Sequence, residues 1–164
     1  MTEERVCCFS GHRPEKLPWG ADESAKACLE LKNMIRLHIT RQIEKGTTKF
    51  LCGMARGTDL YFFDELLAAR KNYPITIEAV VPCPSQADRW PAGERRRYLR
   101  ALAECDRVTV LEDHYSDGCM LRRNRAMIDR SDVLMTVFDG SPGGTASAIA
   151  YARAKNVEID AIWL

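Results

Sequence analysis

Three glycine-bearing loops, each directly after a short apolar run, contain the residues of this chain best suited to chemistry. They cover residues 10–14, 53–59 and 139–145. Short apolar runs of this kind are typical of buried strands, and a glycine after a strand lets the backbone approach a ligand closely. In an open α/β sheet, such loops gather at the carboxyl ends of the strands, where ligands bind. The pattern therefore predicts a site for a ligand of phosphate or nucleotide size.

The first loop places Gly11, His12 and Arg13 after the first strand. The planar guanidinium of Arg13 can clamp a phosphate or carboxylate through two parallel hydrogen bonds. His12 can donate to the same anion, or act as an acid or base. The alternative is a loop histidine beside a solvated arginine. The position after a glycine at the sheet edge favours the ligand role.

The second loop contains Gly53, Arg56 and Gly57 and places Asp59 in the first turn of a helix. Free backbone N–H groups at a helix N-terminus favour an anion. Asp59 either caps this helix or contacts a ligand, by accepting from a sugar hydroxyl or by activating a water. Both alternatives stay open. Asp59 and His12 are the candidates for catalysis, and we assign no catalytic residue.

The third loop is the most specific local signal. Asp139 and Gly140 follow the strand, and Gly143, Gly144 and Thr145 open a helix of small residues. Two glycines before such a helix allow close backbone approach, and the Thr145 hydroxyl can bind a phosphate oxygen. The alternative is a tight turn packed under the helix. The position at the end of a strand favours binding.

Two basic clusters lie outside these loops, at residues 95–100 and 122–125. The first is typical of a solvated helix face. In the second, positive charge at the start of a helix is locally unfavourable, so an anionic partner would explain it better. We therefore place Arg123 and Asn124 among the candidate ligand-binding residues.

Tryptophans and cysteines add two weaker signals. Trp19 and Trp90 lie beside prolines and are candidates to stack on a base, although a packing role is favoured. Cys52 and Cys83 are interpreted as small buried hydrophobic residues, because no activating partner is visible nearby.

The composition limits the classes of function. The chain has 164 residues, of which 46% are hydrophobic, and a net charge of +1, which gives no global electrostatic reason to bind nucleic acid or a membrane. It has no apolar stretch long enough for a membrane span and no apolar leader before the first strand. The seven cysteines include no C-x-x-C pair, so neither disulfides nor a metal site is expected. We expect a cytoplasmic protein with no cofactor apart from a bound nucleotide-like ligand.

Strand-like and helix-like segments alternate along the whole chain. This alternation predicts one α/β domain over residues 1–164, with a doubly wound, mostly parallel sheet of about six strands in the order 3-2-1-4-5-6. The predicted strands lie at about 6–9, 49–52, 75–81, 107–111, 133–138 and 159–164. Neither G-x-G-x-x-G after the first strand nor G-x-x-x-x-G-K-[ST] is present, which argues against ordinary NAD dehydrogenases and P-loop NTPases.

Four motifs in order resemble the YpsA-like branch of the SLOG superfamily, which unites the DNA-processing protein DprA with the Lonely Guy phosphoribohydrolases. They are FSGHRP at 9–14, G-x-A-R-G-x-D at 53–59, G-C-M-x-x-R-N-R-x-M-x-D-x-S-D at 118–132, and D-G-x-x-G-G-T at 139–145. The resemblance covers nearly the whole chain. It implies a Rossmann-like domain that binds nucleotides or their derivatives at the glycine loops, often as a homodimer.

The resemblance does not fix an activity. Lonely Guy enzymes carry P-G-G-x-G-T-x-x-E, whose glutamate serves N-glycosidic cleavage. Here Thr145 is followed by Ala146, Ser147 and Ala148, without that glutamate, which argues against the same hydrolysis.

Three hypotheses follow. The first is binding or sensing of a nucleotide-derived small molecule without a metal, with Arg13 on phosphate and Asp59 on a ribose hydroxyl. The second is an enzyme that acts on an N-glycosidic or phosphate bond, with Asp59 or His12 as acid or base. The third is a DprA-like nucleic-acid module that uses residues 95–100, which the near-neutral charge disfavours.

Overall fold

The computed structural model describes residues 4–164. Met1, Thr2 and Glu3, which belong to the N-terminal segment in which no apolar leader is expected, lie outside the described residues. All six strands pair in parallel in one sheet. The strands are β1 (Arg5–Gly11), β2 (Thr47–Cys52), β3 (Thr76–Val81), β4 (Arg107–Val110), β5 (Val133–Phe138) and β6 (Glu158–Trp163). The helices are α1 (Lys26–Glu44), α2 (Thr58–Arg70), α3 (Ala92–Glu104), α4 (Cys119–Asp129) and α5 (Gly144–Ala154).

The helices cover both faces of the sheet because side chains of the inner strands are apolar in both directions. In β1, Cys7 and Phe9 point into a core shared with α1, α2 and α3. Cys8, between them, points into a second core with α4 and α5. Burial on both faces is characteristic of a parallel sheet in an α/β protein. The predicted fold class, Rossmann-like and doubly wound, is confirmed.

The predicted strand order is wrong in the position of β4. The sheet runs β4-β3-β2-β1-β5-β6, so β4 lies at the edge beside β3 and not next to β1. Val108 and Val110 of β4 are exposed, whereas a strand next to β1 would be buried on both faces. The order in which successive strands are added to the sheet therefore reverses between β1 and β5. The carboxyl ends of these two strands form the crevice where α/β proteins bind ligands.

Burial agrees with the sequence-based interpretation of the cysteines. Cys52 and Cys83 are fully buried, and all seven cysteines are free thiols. Burial raises the pKa of the Cys52 thiol, which disfavours the reactive thiolate. Within residues 4–164, no helix has both the length and the apolar character that membrane crossing requires.

Candidate functional site

A cavity of about 520 Å³ opens at the carboxyl ends of β1 and β5, within the range of small-molecule sites. It brings together eight of the fourteen predicted ligand-binding residues: Gly11, His12, Arg13, Asp59, Arg123, Asn124, Gly144 and Thr145. The remaining six predicted residues do not line it: Gly53, Arg56, Gly57, Asp139, Gly140 and Gly143.

Three helices begin at this cavity. Asp59 in the first turn of α2, Gly118 just before α4, and Gly144 at the start of α5 all line it. The first N–H groups of a helix have no partner within the helix, and the helix dipole adds positive potential there. The convergence of three N-termini therefore makes the cavity favourable for an anion.

Gly11 and Gly57 allow the first loop to pack on α2. The carbonyl oxygen of His12 accepts hydrogen bonds from the backbone N–H of Thr58 (3.1 Å) and from its hydroxyl (2.9 Å). A Cβ at Gly11 would overlap the Thr58 hydroxyl, and one at Gly57 would lie 2.8 Å from the His12 carbonyl oxygen. Gly57 also has a φ of +85°, which other residues rarely adopt. These two glycines let the first and second loops pack against each other. Gly57 itself does not line the cavity.

Arg123 is almost fully buried at the floor of the cavity. Its Nη1 donates to the carbonyl oxygen of Gly53 (2.5 Å) and to Oε1 of Gln86 (3.2 Å), and its Nε donates to Oδ1 of Asn124 (2.9 Å). A Cβ at Gly53 would lie 2.7 Å from the guanidinium carbon, so glycine leaves room for the guanidinium in its observed position. Burial lowers the pKa of Arg123. Gly53 thus positions Arg123 and does not itself reach the ligand space.

Asp59 faces the cavity with unused hydrogen-bonding capacity. Its Oδ2 accepts from the backbone N–H of Ala55 (3.0 Å), and no donor among the described residues contacts Oδ1. Burial raises the pKa of Asp59 to about 6, although Arg123, the Ala55 amide and Arg13 oppose the shift. Asp59 therefore holds its loop through Oδ2, and Oδ1 is free to accept a hydrogen bond from a ligand.

His12 is held by Asp139. Its Nε2 lies 2.9 Å from Oδ1 of Asp139 and 3.1 Å from the Asp139 backbone nitrogen, so it donates to the carboxylate when it carries a proton and accepts from the backbone N–H when it does not. Hydrogen bonds from the Ser141 hydroxyl and N–H hold the pKa of Asp139 at about 2, while burial lowers the pKa of His12. The imidazole is thus oriented by a carboxylate and favoured as the neutral ring. Asp139 does not line the cavity, and it contributes to the cavity by orienting His12.

Lys16 is a cavity residue that the sequence analysis missed. Its Nζ donates to the carbonyl oxygen of Pro142 (2.6 Å) and to the hydroxyl of Ser141 (3.2 Å), across the third loop. A Cβ at Gly143, where φ is +143°, would lie 2.7 Å from this ammonium. Gly143 therefore leaves space for Lys16. Gly140 has a φ of +88° and lies exposed outside the cavity, so it serves the turn.

The arginines of the motifs have different surroundings. Arg13 is exposed on the cavity wall, and within residues 4–164 its side chain makes neither a hydrogen bond nor an ion pair. Arg56 is paired with Glu94 (2.6 Å) and Glu15 (2.7 Å) and lines an adjoining smaller cavity. Arg122, next to the buried Arg123, pairs with Glu112 at 2.9 Å.

Arg125 stacks over the ring of Tyr151 and lies away from the cavity. In the 95–100 cluster, Arg97 is paired with Glu23 (2.5 Å) and Asp64 (2.7 Å), as a solvated helix face would be.

Gln86 is a second residue that the sequence analysis missed. It is buried in the loop after β3, where its Nε2 donates to the Gly53 carbonyl oxygen (3.2 Å) and its Oε1 accepts from Arg123. A glutamine in a polar loop carries no distinctive signal in the sequence. A lysine five residues after Gly11 was a weak signal for Lys16, because it stands in the same loop as the predicted anion clamp.

Comparisons with known sequences agree with these motifs. A family model described as the YspA SLOG family matches residues 7–162. The chain is 29% identical over 139 residues to the SPbeta prophage-derived protein YoqJ of Bacillus subtilis, covering 76% of this chain and 81% of that protein. It is 23% identical over 159 residues to a UPF0398 protein of Bacillus velezensis, covering 95% of this chain and 87% of that protein.

Among solved structures, the fold is similar to DNA processing protein A from Helicobacter pylori, for which a single-stranded DNA binding mode is described. The TM-score is 0.64 at 16% sequence identity, and the alignment covers 94% of this chain. The chain spans 63% of that protein, which is less than two thirds of its length. At this identity, the likeness establishes a shared fold.

Proposed function

The chain belongs to the YspA SLOG family, and we propose that it binds a nucleotide or nucleotide-derived small molecule in the cavity at the carboxyl ends of β1 and β5. One observation carries the proposal: three helix N-termini converge on a cavity that is also lined by Arg13, Lys16 and Arg123. Helix N-termini and cations together favour a phosphate group.

Asp59 limits which phosphate compound fits. A carboxylate beside a phosphate site repels a second anionic group, but it accepts well from a hydroxyl. The free Oδ1 of Asp59 therefore favours a ligand with a sugar hydroxyl next to its phosphate, as in a nucleotide. Arg13, which has no protein partner among the described residues, supplies the phosphate clamp.

An enzyme is the second candidate, and the pKa of Asp59 favours it. A carboxyl with a pKa of about 6 is suited to act as a base near neutral pH. A neutral, oriented His12 lines the same cavity. Turnover of an N-glycosidic or phosphate bond would then depend on one of these two groups.

Binding of single-stranded nucleic acid is the third candidate function. The structural similarity to DNA processing protein A favours it, although the near-neutral charge led us to disfavour it in the sequence analysis. The net charge of +1 and the ion pairs of Arg97 weaken it, since a backbone-binding surface needs unpaired cations. A gel-shift assay over a salt series tests it, because phosphate contacts weaken steeply as salt rises.

The decisive experiment narrows the cavity without disturbing the fold. A Cβ at Gly144 would meet no atom within 4 Å, so Gly144→Val places its side chain in the open cavity. Gly93→Val is the matched control, because Gly93 also lies at the start of a helix, outside the cavity, and its Cβ would make only an ordinary contact of 3.9 Å with the Arg96 side chain. AMP, ADP and related nucleotides are titrated into each folded variant by calorimetry.

We expect Gly144→Val to abolish binding and Gly93→Val to preserve it. Arg13→Lys should weaken binding by about 1–2 kcal/mol, since the charge stays while the bidentate geometry is lost. Unchanged affinity in a folded Gly144→Val variant would refute the site. Mass spectrometry of small molecules released from gently denatured protein identifies the natural ligand, and sedimentation tests the homodimer that the family leads us to propose.

A further inference from the structure

A second cavity of about 220 Å³ adjoins the larger one. The two share Arg13, Glu15 and Met120 in their walls, so they form one continuous depression. Trp90 and Arg56 line only the smaller part. A ligand held by its phosphate in the larger cavity can therefore extend past Met120 into the smaller one.

Trp90 provides a fixed aromatic surface in this smaller cavity. Its ring is half-buried against the core and packs edge to face with Tyr98, with centroids 5.2 Å apart and planes at 69°. Tyr98 is itself buried, so the tryptophan is held in place by the protein interior. An aromatic ring positioned in this way binds a planar ligand with little loss of conformational entropy.

Apart from Arg13, which the two cavities share, the walls beside Trp90 fit a planar ring better than a second anion. Arg56 is neutralised by Glu94 and Glu15, which accept three hydrogen bonds from its guanidinium. Its planar group and the Met120 thioether are surfaces on which aromatic rings pack. The smaller cavity thus combines an aromatic ring, a sulfur and a charge-compensated guanidinium.

We propose that this smaller cavity is a base-binding subsite, in which a nucleobase stacks on Trp90 while the phosphate and sugar occupy the larger cavity. The inference rests on the proposed function and adds the ligand class: a compound that joins a heteroaromatic base to a sugar phosphate. Its affinity for the base comes from stacking, which every base can provide, so the subsite does not select one base over another.

Three probes separate the two subsites. AMP has base, sugar and phosphate, ribose 5-phosphate lacks the base, and adenosine lacks the phosphate. Their affinities are measured by calorimetry, and quenching of tryptophan fluorescence reports stacking directly. Trp90→Leu removes the proposed surface. Trp163→Leu is the matched control, because Trp163 is 66% exposed on β6 and lines neither cavity.

We expect Trp90→Leu to weaken AMP and adenosine about tenfold or more, as loss of base stacking does, and to leave ribose 5-phosphate unchanged. Quenching by AMP should disappear in Trp90→Leu and persist in Trp163→Leu. Trp90→Phe keeps an aromatic face and should retain most of the affinity, so it serves as the second variant if Trp90→Leu does not fold.

Failure of this inference differs from failure of the proposed function. Equal affinities of AMP and ribose 5-phosphate, both insensitive to Trp90→Leu, would overturn the base subsite and leave the phosphate site standing. AMP binding that depends on Trp90 but not on Gly144 or Arg13 would support the base subsite and overturn the phosphate site. Absence of binding for all three probes would overturn both.

Discussion

Two buried carboxylates, Glu78 in β3 and Asp59 in α2, lie near arginines in very different environments. Glu78 accepts two hydrogen bonds from Arg130 (2.7 and 2.9 Å) and one from Thr109 (2.9 Å), and Lys49 lies 3.3 Å away. The Arg130 hydrogen bonds are the largest cause that lowers its pKa, to about 2. Every interaction of Glu78 is made within the protein.

Asp59 accepts one hydrogen bond, from Ala55, and burial raises its pKa to about 6. Its charged form is thus poorly compensated by the protein, and it lines a cavity. A fully paired buried carboxylate contributes to the structure alone, whereas an under-paired one beside a cavity is a candidate for function. Four predictions test this contrast, from the largest effect to the smallest.

The largest effect is expected on removal of the buried guanidinium of Arg123. Arg123→Met removes one of the two donors to the Gly53 carbonyl oxygen, the donor to Oε1 of Gln86, and the positive charge that most favours the ionised form of Asp59. It should lower the free energy of unfolding by about 3–5 kcal/mol, measured by urea denaturation. Arg122→Met, at the exposed neighbouring position, should lower it by less than about 1 kcal/mol. Equal losses in the two variants would contradict the assigned role of Arg123.

Glu78→Gln should give the next largest loss of stability. The amide cannot compensate the charges of Arg130 and Lys49, although Arg130 is partly exposed and can turn to water. We expect a loss of about 2–3 kcal/mol by urea denaturation, with AMP affinity unchanged. Glu112→Gln, at an exposed pair with Arg122, should lose under about 1 kcal/mol. A change in AMP affinity would show that Glu78 is coupled to the site.

Asp59→Asn should weaken binding without destabilising the fold. The amide keeps an acceptor for Ala55 but binds a sugar hydroxyl less strongly, so AMP affinity should fall by about 1–2 kcal/mol in calorimetry. Because the raised pKa of Asp59 makes its ionised form costly in the folded protein, the free energy of unfolding at neutral pH should rise and not fall. Asp64→Asn, at an exposed position of the same helix, should leave binding intact.

The outcome of Asp59→Asn also separates binding from catalysis. Wild-type turnover of any nucleotide that disappears in Asp59→Asn, with binding preserved, would identify Asp59 as a general base and support the enzyme hypothesis. If Asp59→Asn binds AMP normally and the wild type shows no turnover, the only role left for Asp59 is to hold its loop.

The smallest effect is a difference in pH dependence, and the two carboxylates should have opposite signs. Glu78 has a lowered pKa, so its stabilising contribution is lost as pH falls from about 4.5 to about 2. Asp59 has a raised pKa, so its contribution decreases stability as pH rises from about 3.8 to about 6.

Wild-type and variant unfolding curves across pH measure these contributions, each with a slope below about 1.4 kcal/mol per pH unit. Relative to wild type, Asp59→Asn should gain stability between pH 4 and pH 6, and Glu78→Gln should recover its deficit only below pH 4.5. Parallel curves for all three proteins would contradict both assignments.

Local patterns in the sequence were sufficient to predict the elements and the edge of the sheet that holds the site. The predicted strand at 133–138 matches β5, and the loops around Arg13 and Gly144 do meet at one cavity. Periodicity and loop glycines act over a few residues, so they can be read directly from the chain.

The sequence did not determine the order of β4, because strand pairing depends on contacts between distant segments. Nor did it show that Arg56 would be neutralised by Glu94, 38 residues away, or that Gly53 makes room for Arg123, 70 residues away. In the sequence alone, the polar and charged residues of the motifs look equivalent. Only the tertiary structure separates those with free polar atoms on the cavity from those already paired inside the protein.

The sequence by itself thus determined the α/β alternation and the family motifs, and it predicted that the loops bind an anion. The tertiary structure decided which charges are free, since a charge is neutralised by whichever group the fold brings within hydrogen-bond distance. Arg13 remained unpaired among the described residues and Arg56 did not, although both stand in glycine loops of the same kind.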